Sequence, residues 1–375
     1  MLTNEEFRLF RNLIYEESGI YLKESRKDFL ENRLVKRMNV TGMNSPYWYY
    51  RFLTERKKAE LLILLDLLTI NETSFFRNKP QLELFKNVVL PDVMNSRGVL
   101  QYAPLKKLRI WSAGCSTGEE PYTIAMIVMD AMNNAPPYPP LSATGGFAEA
   151  KSRGGRGCYD DWDIKIFASD ISLTAIETAS RGKYDGEKVR AVVDGYYIDR
   201  YFEKVSTPLC HSHESGNPEK KQKTGFPLTD CGNDAICSKL RSREGIFSEQ
   251  KLYKVKAEVK KLVIFDFHNL KNENGLADLD VIFCRNVMIY FDIDEQKRLV
   301  NKFYKSLKPG GYLFLGHAES LHGMGTDFQF IYEDMGTAYR KPLTLCHSRE
   351  GGNPDAVPAK LVPASRRQGA GNYYI

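Results

Sequence analysis

The segment Leu108-Arg-Ile-Trp-Ser-Ala-Gly-Cys-Ser-Thr-Gly-Glu-Glu-Pro-Tyr122 constrains the fold more than any other stretch of the chain. An apolar run, Leu108 to Ser112, leads through a glycine-bearing turn into a helical pattern from Tyr122 to Met132. This is the strand–turn–helix order in which an α/β sheet presents a helix N-terminus to a ligand. Gly114 and Gly118 let the main chain turn sharply and approach a ligand, and Ser116 or Thr117 can cap the helix. The motif lacks a phosphate-binding lysine and a full G-x-G-x-x-G, and Glu119 and Glu120 follow directly. Those acids repel a pyrophosphate but suit a cation or sugar hydroxyls, so S-adenosylmethionine fits better than NAD or ATP. Taken alone, Ser116-x-x-Glu119 also reads as a plain capping box.

Strand-like and helical runs alternate onward: Ile164 to Ser169, Leu173 to Ser180, Val263 to Phe267, Val281 to Cys284 and Tyr312 to Leu315. A helix from Asp294 to Leu307 is expected to close at Pro309-Gly310-Gly311, and Phe328–Tyr332 with Gly336–Arg340 predict an antiparallel hairpin at a sheet edge. The alternation predicts a doubly wound, Rossmann-like α/β domain. Asp170 ends the strand where such folds place the acid that holds ribose hydroxyls; an acid there also caps helices.

From Asn4 to about Arg77 the apolar spacing is helical instead: Phe7, Phe10, Leu13 and Ile14, then Phe29, Leu30, Leu34, Val35 and Met38, then Tyr49, Phe52 and Leu53. This predicts a small all-helical domain. Its second helix carries Lys23, Arg26, Lys27, Arg33, Lys36 and Arg37 against Glu24, Asp28 and Glu31, a local excess of three positive charges. A solvated face explains that excess as well as a docking face does.

The net charge of +6 over 375 residues is too dilute to demand nucleic acid, though it favours an acidic protein partner. Leu61 to Leu68 is the longest aliphatic run, broken by Asp66 and far short of the ~20 residues that span a bilayer. With no apolar core of a secretory signal at the N-terminus, a cytoplasmic location is expected. The seven cysteines are scattered without a C-x-x-C pair, so neither a disulfide framework nor a zinc ribbon is indicated.

Residues 135–161 are rich in Pro, Gly and Ser, 206–250 are polar and turn-rich, and 343–375 form a Pro/Gly/Arg tail. They read as two insertions and a disordered, repeat-like tail. Cys210-His-Ser-His-Glu-Ser-Gly-Asn-Pro218 and Cys346-His-Ser-Arg-Glu-Gly-Gly-Asn-Pro354 agree at seven of nine positions. Duplicated coding sequence accounts for Cys210, His211, His213, Cys346 and His347 without a metal, whose usual ligand spacing they lack.

Four blocks in order, Asn71-Glu-Thr-Ser-Phe-Phe-Arg77, Trp111 to Tyr122, Phe265-Asp-Phe-His-Asn-Leu270 and Phe283-Cys-Arg-Asn-Val-Met-Ile-Tyr-Phe-Asp292, resemble the CheR-type chemotaxis receptor methyltransferases. The resemblance covers residues 1–134, 162–205 and 251–341. It implies an S-adenosylmethionine-dependent methyltransferase fold with an N-terminal all-helical domain (1–80), an α/β domain (81–342) and a small antiparallel β subdomain (194–262) that the 206–250 insertion interrupts. It implies a cofactor pocket of Asn71, Thr73, Arg77, Gly114, Glu119, Asp170, Asn269, Leu270, Arg285 and Asn286, with catalytic roles for Arg77, Tyr290 and Arg285.

The implied reaction moves a methyl group from S-adenosyl-L-methionine to glutamates of a chemoreceptor's cytoplasmic helical bundle, leaving S-adenosyl-L-homocysteine. It implies no metal, nucleic acid or membrane insertion and a monomer, and it gives Arg33, Lys36 and Arg37 a receptor-facing role. Two other readings stand beside it: a cofactor-binding signalling module impaired by the insertion, and a methyltransferase for a non-receptor acceptor. The interrupted β subdomain also puts docking of a receptor-tail peptide by strand addition in doubt. Tyr196–Val205 and Leu252–Val259 are its expected strands.

Overall fold

The structure, a computed structural model, describes residues 2–56, 58–98, 106–134, 162–206, 251–334 and 336–343. Helix α1 (Asn4–Ser18) starts at Thr3, whose hydroxyl accepts from the Glu6 amide while the Glu6 carboxylate accepts from the Thr3 amide. It stops at Gly19, which takes the left-handed φ of +76°. With α2 (Lys27–Thr41), α3 (Pro46–Arg56) and α4 (Lys58–Leu68) it closes a core around Phe10, Ile14, Leu30, Leu34, Tyr49 and Leu64. Val35 departs from the expected stripe: one residue beyond Leu34 it is turned about 100° round the helix, and it is 44% exposed.

Helix α5 (Lys79–Leu84) runs through a π turn (Phe85–Val89) into α6 (Leu90–Gly98), an addition to the elements expected from the sequence. The remaining elements are β1 (Lys106–Ala113), α7 (Glu119–Asn134), β2 (Trp162–Asp170), α8 (Leu173–Arg181), β3 (Lys183–Asp185), α9 (Gly186–Val192), α10 (Gly195–Tyr201), β4 (Phe202–Ser206), β5 (Lys251–Val255), α11 (Ala257–Lys260), β6 (Val263–Phe267), β7 (Leu279–Cys284), α12 (Ile293–Ser306), β8 (Leu307–Leu315), β9 (Gln329–Glu333) and β10 (Gly336–Arg340).

Seven strands form one sheet in the order β6-β2-β1-β7-β8-β10-β9. Neighbours from β6 to β8 are parallel, and β10 runs antiparallel to both β8 and β9, the expected edge hairpin. Alternate residues serve opposite faces, as the pleat requires. Leu108, Ile110, Val281 and Phe283 enter a core shared with α5 to α7, whereas Trp111, Ala113, Ile282 and Cys284 enter one shared with α12. The sheet is thus doubly wound, and its order reverses between β1 and β7. A crevice outside the carboxyl ends of β2, β1 and β7 is the standard ligand position in such a sheet.

Two expected boundaries are corrected. Helix α12 stops at Ser306, because Leu307 already pairs with Leu279; Pro309-Gly310-Gly311 then lie inside β8 rather than closing the helix. Pairing resumes at Val281 with Tyr312, so the extra residues form a bulge in which Gly310 adopts φ +80°. In the small sheet, ordered β3-β5-β4, residues 195–201 are helical rather than extended. Asp194 caps that helix by accepting from the Tyr196 amide, and Ile198 and Tyr201, three apart, share its buried face. Residues 257–260 likewise form a helical turn after β5. Strands β4 and β5 pair from Phe202–Val255 to Ser206–Lys251, so the described residues on either side of 207–250 lie opposite each other. The expected insertions 135–161 and 206–250 and the expected tail 343–375, with the cysteines and histidines within them, lie outside the described residues except for Ser206, which pairs in β4, and Leu343. No described helix is long and apolar enough to cross a membrane.

Candidate active site

The turn after β1 is shaped by backbone geometry. The Gly114 and Cys115 amides both donate to Ser169 O, at 2.8 and 3.0 Å, which docks the turn on the end of β2. Gly114 sits at φ +87°, and a Cβ there would lie 2.4 Å from Val287 Cγ2, so only glycine fits. Ser116, at φ +48°, donates its amide to Asp170 Oδ2 at 2.8 Å. Its hydroxyl points to Asn71 Oδ1 at 3.4 Å instead of capping α7, and Thr117 Oγ1 donates to the Glu119 carboxylate at 2.7 Å. The capping-box reading of Ser116-x-x-Glu119 is therefore not realised.

Asp170 does not cap α8 either; Ser172 does, accepting from the Ala175 amide at 3.1 Å. Asp170 instead receives the Ser116 and Ser172 amides and lines a cavity. Burial holds its carboxyl above the usual carboxylate range, with the Asp66 charge adding to the shift, against the pull of those backbone hydrogen bonds.

That cavity is open to solvent on one side and lies at the carboxyl ends of β1, β2 and β7. It gathers Asn71, Thr73, Arg77, Gly114, Asp170, Asn269, Leu270, Arg285, Asn286 and Tyr290, the four sequence blocks and the end of β2 brought together. Glu119 is not among them: it faces a neighbouring cleft with Thr178, Lys183 and Lys188, and Thr73 borders both. Burial raises its carboxyl above the usual range. The adjacent acid, Glu120, is the one that reaches the cavity. Its signal in the sequence is the i, i+4, i+8 stripe Glu120, Ile124, Val128, whose two apolar members are fully buried.

Glu120 forms a buried ion pair with Arg285, Nε to Oε2 at 2.6 Å, and takes the Ser112 hydroxyl on its other oxygen at 2.7 Å. Arg285 Nη1 also donates to Arg77 O at 2.7 Å, so the neutralised Arg285 fixes the Arg77 main chain. Phe76 and Asn78, on either side of Arg77, have φ of +53° and +61°. Two non-glycine residues in the left-handed region mark a backbone held by its surroundings. The Arg77 guanidinium donates to Glu72 O at 2.9 Å and makes no ion pair among the described residues.

Tyr290 is half-buried, and burial raises its phenol above the usual value, so it stays protonated at neutral pH. Its carbonyl accepts from Tyr21 N at 2.8 Å, and Ile20 bridges Phe291, which brings the end of α1 onto the cavity through Ser18 and Ile20. Asn269 Nδ2 donates to Glu17 O at 2.6 Å, so its amide is committed to α1 and its main chain is what remains to meet a ligand. Glu319, not singled out from the sequence, accepts the amides of Gly316, Asn286 and Ile289 and so shapes the 286–290 segment.

On the helical domain only Lys36 of the three expected receptor-facing residues is exposed. Arg37 makes a two-point pair with Glu60, both contacts at 2.8 Å, and Tyr49 Oη donates to the same carboxylate. Arg33 lies 4.4 Å over the Phe29 ring.

Residues 5–69 match the family model described as CheR methyltransferase, all-alpha domain, and residues 71–144 and 234–337 match CheR methyltransferase, SAM binding domain. The chain is 29% identical over 343 residues to chemotaxis protein methyltransferase 2 of Vibrio cholerae, covering 91% of this chain and 94% of the relative. It is 30% identical over 330 residues to the chemotaxis protein methyltransferase of Salmonella typhimurium, covering 87% and 88%. Against that of Escherichia coli K12 it is 30% identical over 322 residues, covering 85% of each chain.

Proposed function

The chain belongs to the CheR methyltransferase family, and from that premise we propose that it is a protein-glutamate O-methyltransferase acting on the cytoplasmic helical bundle of chemoreceptors. Its cosubstrate is S-adenosyl-L-methionine. The cavity suits that molecule. Its lining holds acids (Glu72, Glu120, Asp170), amides and two arginines but no lysine, which fits a sulfonium with a sugar better than a polyphosphate. The Leu270 N–H, at its edge, makes no hydrogen bond among the described residues and is free to read a purine ring nitrogen. Asp170 would hold the ribose and Asn71 with Thr73 the amino-acid end.

When bound, the cosubstrate supplies an electrophilic methyl group. The acceptor needs little help from the protein: a glutamate side chain with a reference pKa of ~4.3 is already an anion at neutral pH, so no general base is required. The work left to this chain is alignment and exclusion of water. The observation that carries the proposal is the pairing of two unlike arginines: Arg285, silenced by Glu120, fixes the main chain of Arg77, whose own charge near Tyr290 has no ion-pair partner among the described residues. Arg77 and the Tyr290 hydroxyl would orient the incoming carboxylate, while Ser18, Ile20 and Phe291 cover the cavity.

The exposed cations Lys23, Arg26 and Lys36 supply a docking face for an acidic bundle. The β subdomain pairs up to the residues where 207–250 begins, which favours an active enzyme over an impaired module. Incubation with radiolabelled cosubstrate and a receptor cytoplasmic fragment tests the proposal. Label is expected on the receptor; label only on a small molecule or nucleic acid supplied in competition overturns it.

A further inference from the structure

Residues 268–272 form a short loop after β6 that contributes His268, Asn269 and Leu270 to the cavity wall. Three consecutive carbonyls of this loop are taken by cationic side chains of α12. Lys302 Nζ donates to Leu270 O at 3.4 Å and to Asn272 O, and Arg298 Nη1 donates to Lys271 O at 2.9 Å. On its other side the loop reaches three consecutive carbonyls at the end of α1: Lys271 Nζ meets Tyr15 O and Glu16 O, and Asn269 Nδ2 meets Glu17 O.

Lys302 is out of place on packing grounds. It sits on the buried face of α12 with Leu299, Val300 and Phe303, is only 9% exposed, and lies 5.8 Å from the Trp111 ring. Burial lowers its ammonium below the usual lysine value. An apolar residue there would avoid the desolvation. What the ammonium provides instead is a fixed orientation of the loop's peptide planes. With Asn269 O held by Asn272 N at 2.9 Å and the Leu270 and Asn272 carbonyls bound to Lys302 of α12, the Leu270 N–H, like that of Asn269, is a donor without a partner among the described residues at the cavity edge.

We infer that Lys302 is a positioning residue for base recognition: it holds the 268–272 loop so that the Leu270 N–H meets an acceptor nitrogen of the adenine. The inference rests on the cosubstrate reading above. A main-chain donor aimed at adenine N1 accepts adenine and rejects hypoxanthine, whose N1 carries a hydrogen. Lys302 therefore acts on cofactor affinity and base choice, not on the transfer step.

The test is calorimetric binding of S-adenosyl-L-homocysteine and of S-inosyl-L-homocysteine to the full chain, to Lys302→Met and to Lys302→Arg. Lys302→Met, which keeps the apolar stem on Trp111, is expected to retain the wild-type circular dichroism spectrum. It should weaken S-adenosyl-L-homocysteine about tenfold, the loss of roughly one hydrogen bond, and erode the preference for adenine over hypoxanthine by a similar factor. Lys302→Arg, able to reach the same carbonyls, should restore both to within about threefold. A folded Lys302→Met with unchanged affinity and unchanged base preference overturns the inference alone. Should Lys302→Met not fold, Lys302→Arg decides: a folded Arg variant that has lost base preference overturns it equally. A wild-type chain that binds neither ligand removes the cosubstrate reading, and this inference with it.

Discussion

Arg285 and Glu120 meet at 2.6 Å in the wall of the cavity, with side chains 4% and 10% exposed. The pair joins the strand-end block Phe283–Asp292 to the first turn of α7, within the Trp111–Tyr122 block, and through Arg77 O it reaches the 71–77 block as well. Three of the four sequence blocks are thus linked by one guanidinium. Removing either partner leaves a buried charge uncompensated, so Glu120→Gln is expected to cost about 3–5 kcal/mol of folding stability. Urea denaturation measures this, and a loss under about 1 kcal/mol, the size of a surface pair, would contradict the account.

Arg77→Ala should lower kcat by roughly a hundredfold, the size of a lost transition-state donor, while the calorimetric Kd for S-adenosyl-L-homocysteine changes by less than about threefold. The reason is that its guanidinium holds only the Glu72 carbonyl and makes no ion pair among the described residues, which leaves its charge for the acceptor. Equal losses of turnover and binding would return Arg77 to a cofactor-holding role. Tyr290→Phe should be milder than Arg77→Ala, because the half-buried ring still packs.

Asp170 gives a pH dependence with a defined sign. Its folded-state pKa is raised, so the native chain holds that proton more readily than the unfolded chain does. The contribution to stability is therefore fully present below the unfolded value and is lost as pH rises through the folded one. Ribose hydroxyls prefer the ionised form, so S-adenosyl-L-homocysteine affinity should fall as pH is lowered through the raised value, earlier than an ordinary carboxylate would allow. Calorimetry from pH 8 down into the ordinary carboxylate range, to about pH 4, follows this, and Asp170→Asn should bind weakly without the Asp170 step. A wild-type affinity that is flat over the range would exclude Asp170 as the ligand.

Charge reversal separates docking from folding on α2. Lys36→Glu should weaken receptor methylation at low ionic strength and much less at high, since a screened surface contact is lost. Arg37→Glu should instead destabilise the helical domain, because its two contacts to Glu60 are buried beside Tyr49. The two variants are compared by salt-dependent methylation and by thermal denaturation. An Arg37→Glu chain as stable as wild type would contradict the structure.

What the sequence revealed depended on how local the signal was. The parallel strands showed because runs such as Val281–Cys284 are buried throughout between helices and carry dense apolar residues, while the edge strand Val263–Phe267 showed by composition alone, its Ile264 being exposed. The β8 boundary did not, since Pro309-Gly310-Gly311 resembles a helix stop and only the Leu279–Leu307 pairing reveals the bulge. Helix α10 was hidden because aromatic Tyr196, Tyr197 and Tyr201 suit a strand by propensity, whereas the Asp194 cap and the Ile198–Tyr201 spacing decide for a helix. At the site, motif order located the pocket but not the choice between Glu119 and Glu120, neighbours separated by one helical step. Nor could a charge count see that Arg37 was spent on Glu60, a partner 23 residues away.

The central claim is glutamyl ester formation, and the most direct measurement is alkali-labile release of labelled methanol from chemoreceptor cytoplasmic fragments after incubation with this chain and methyl-labelled S-adenosyl-L-methionine. The account predicts release that is abolished by replacing the receptor glutamates with alanine. A chain that binds S-adenosyl-L-homocysteine by calorimetry, yet releases no methanol from the receptors of its own host, would contradict it.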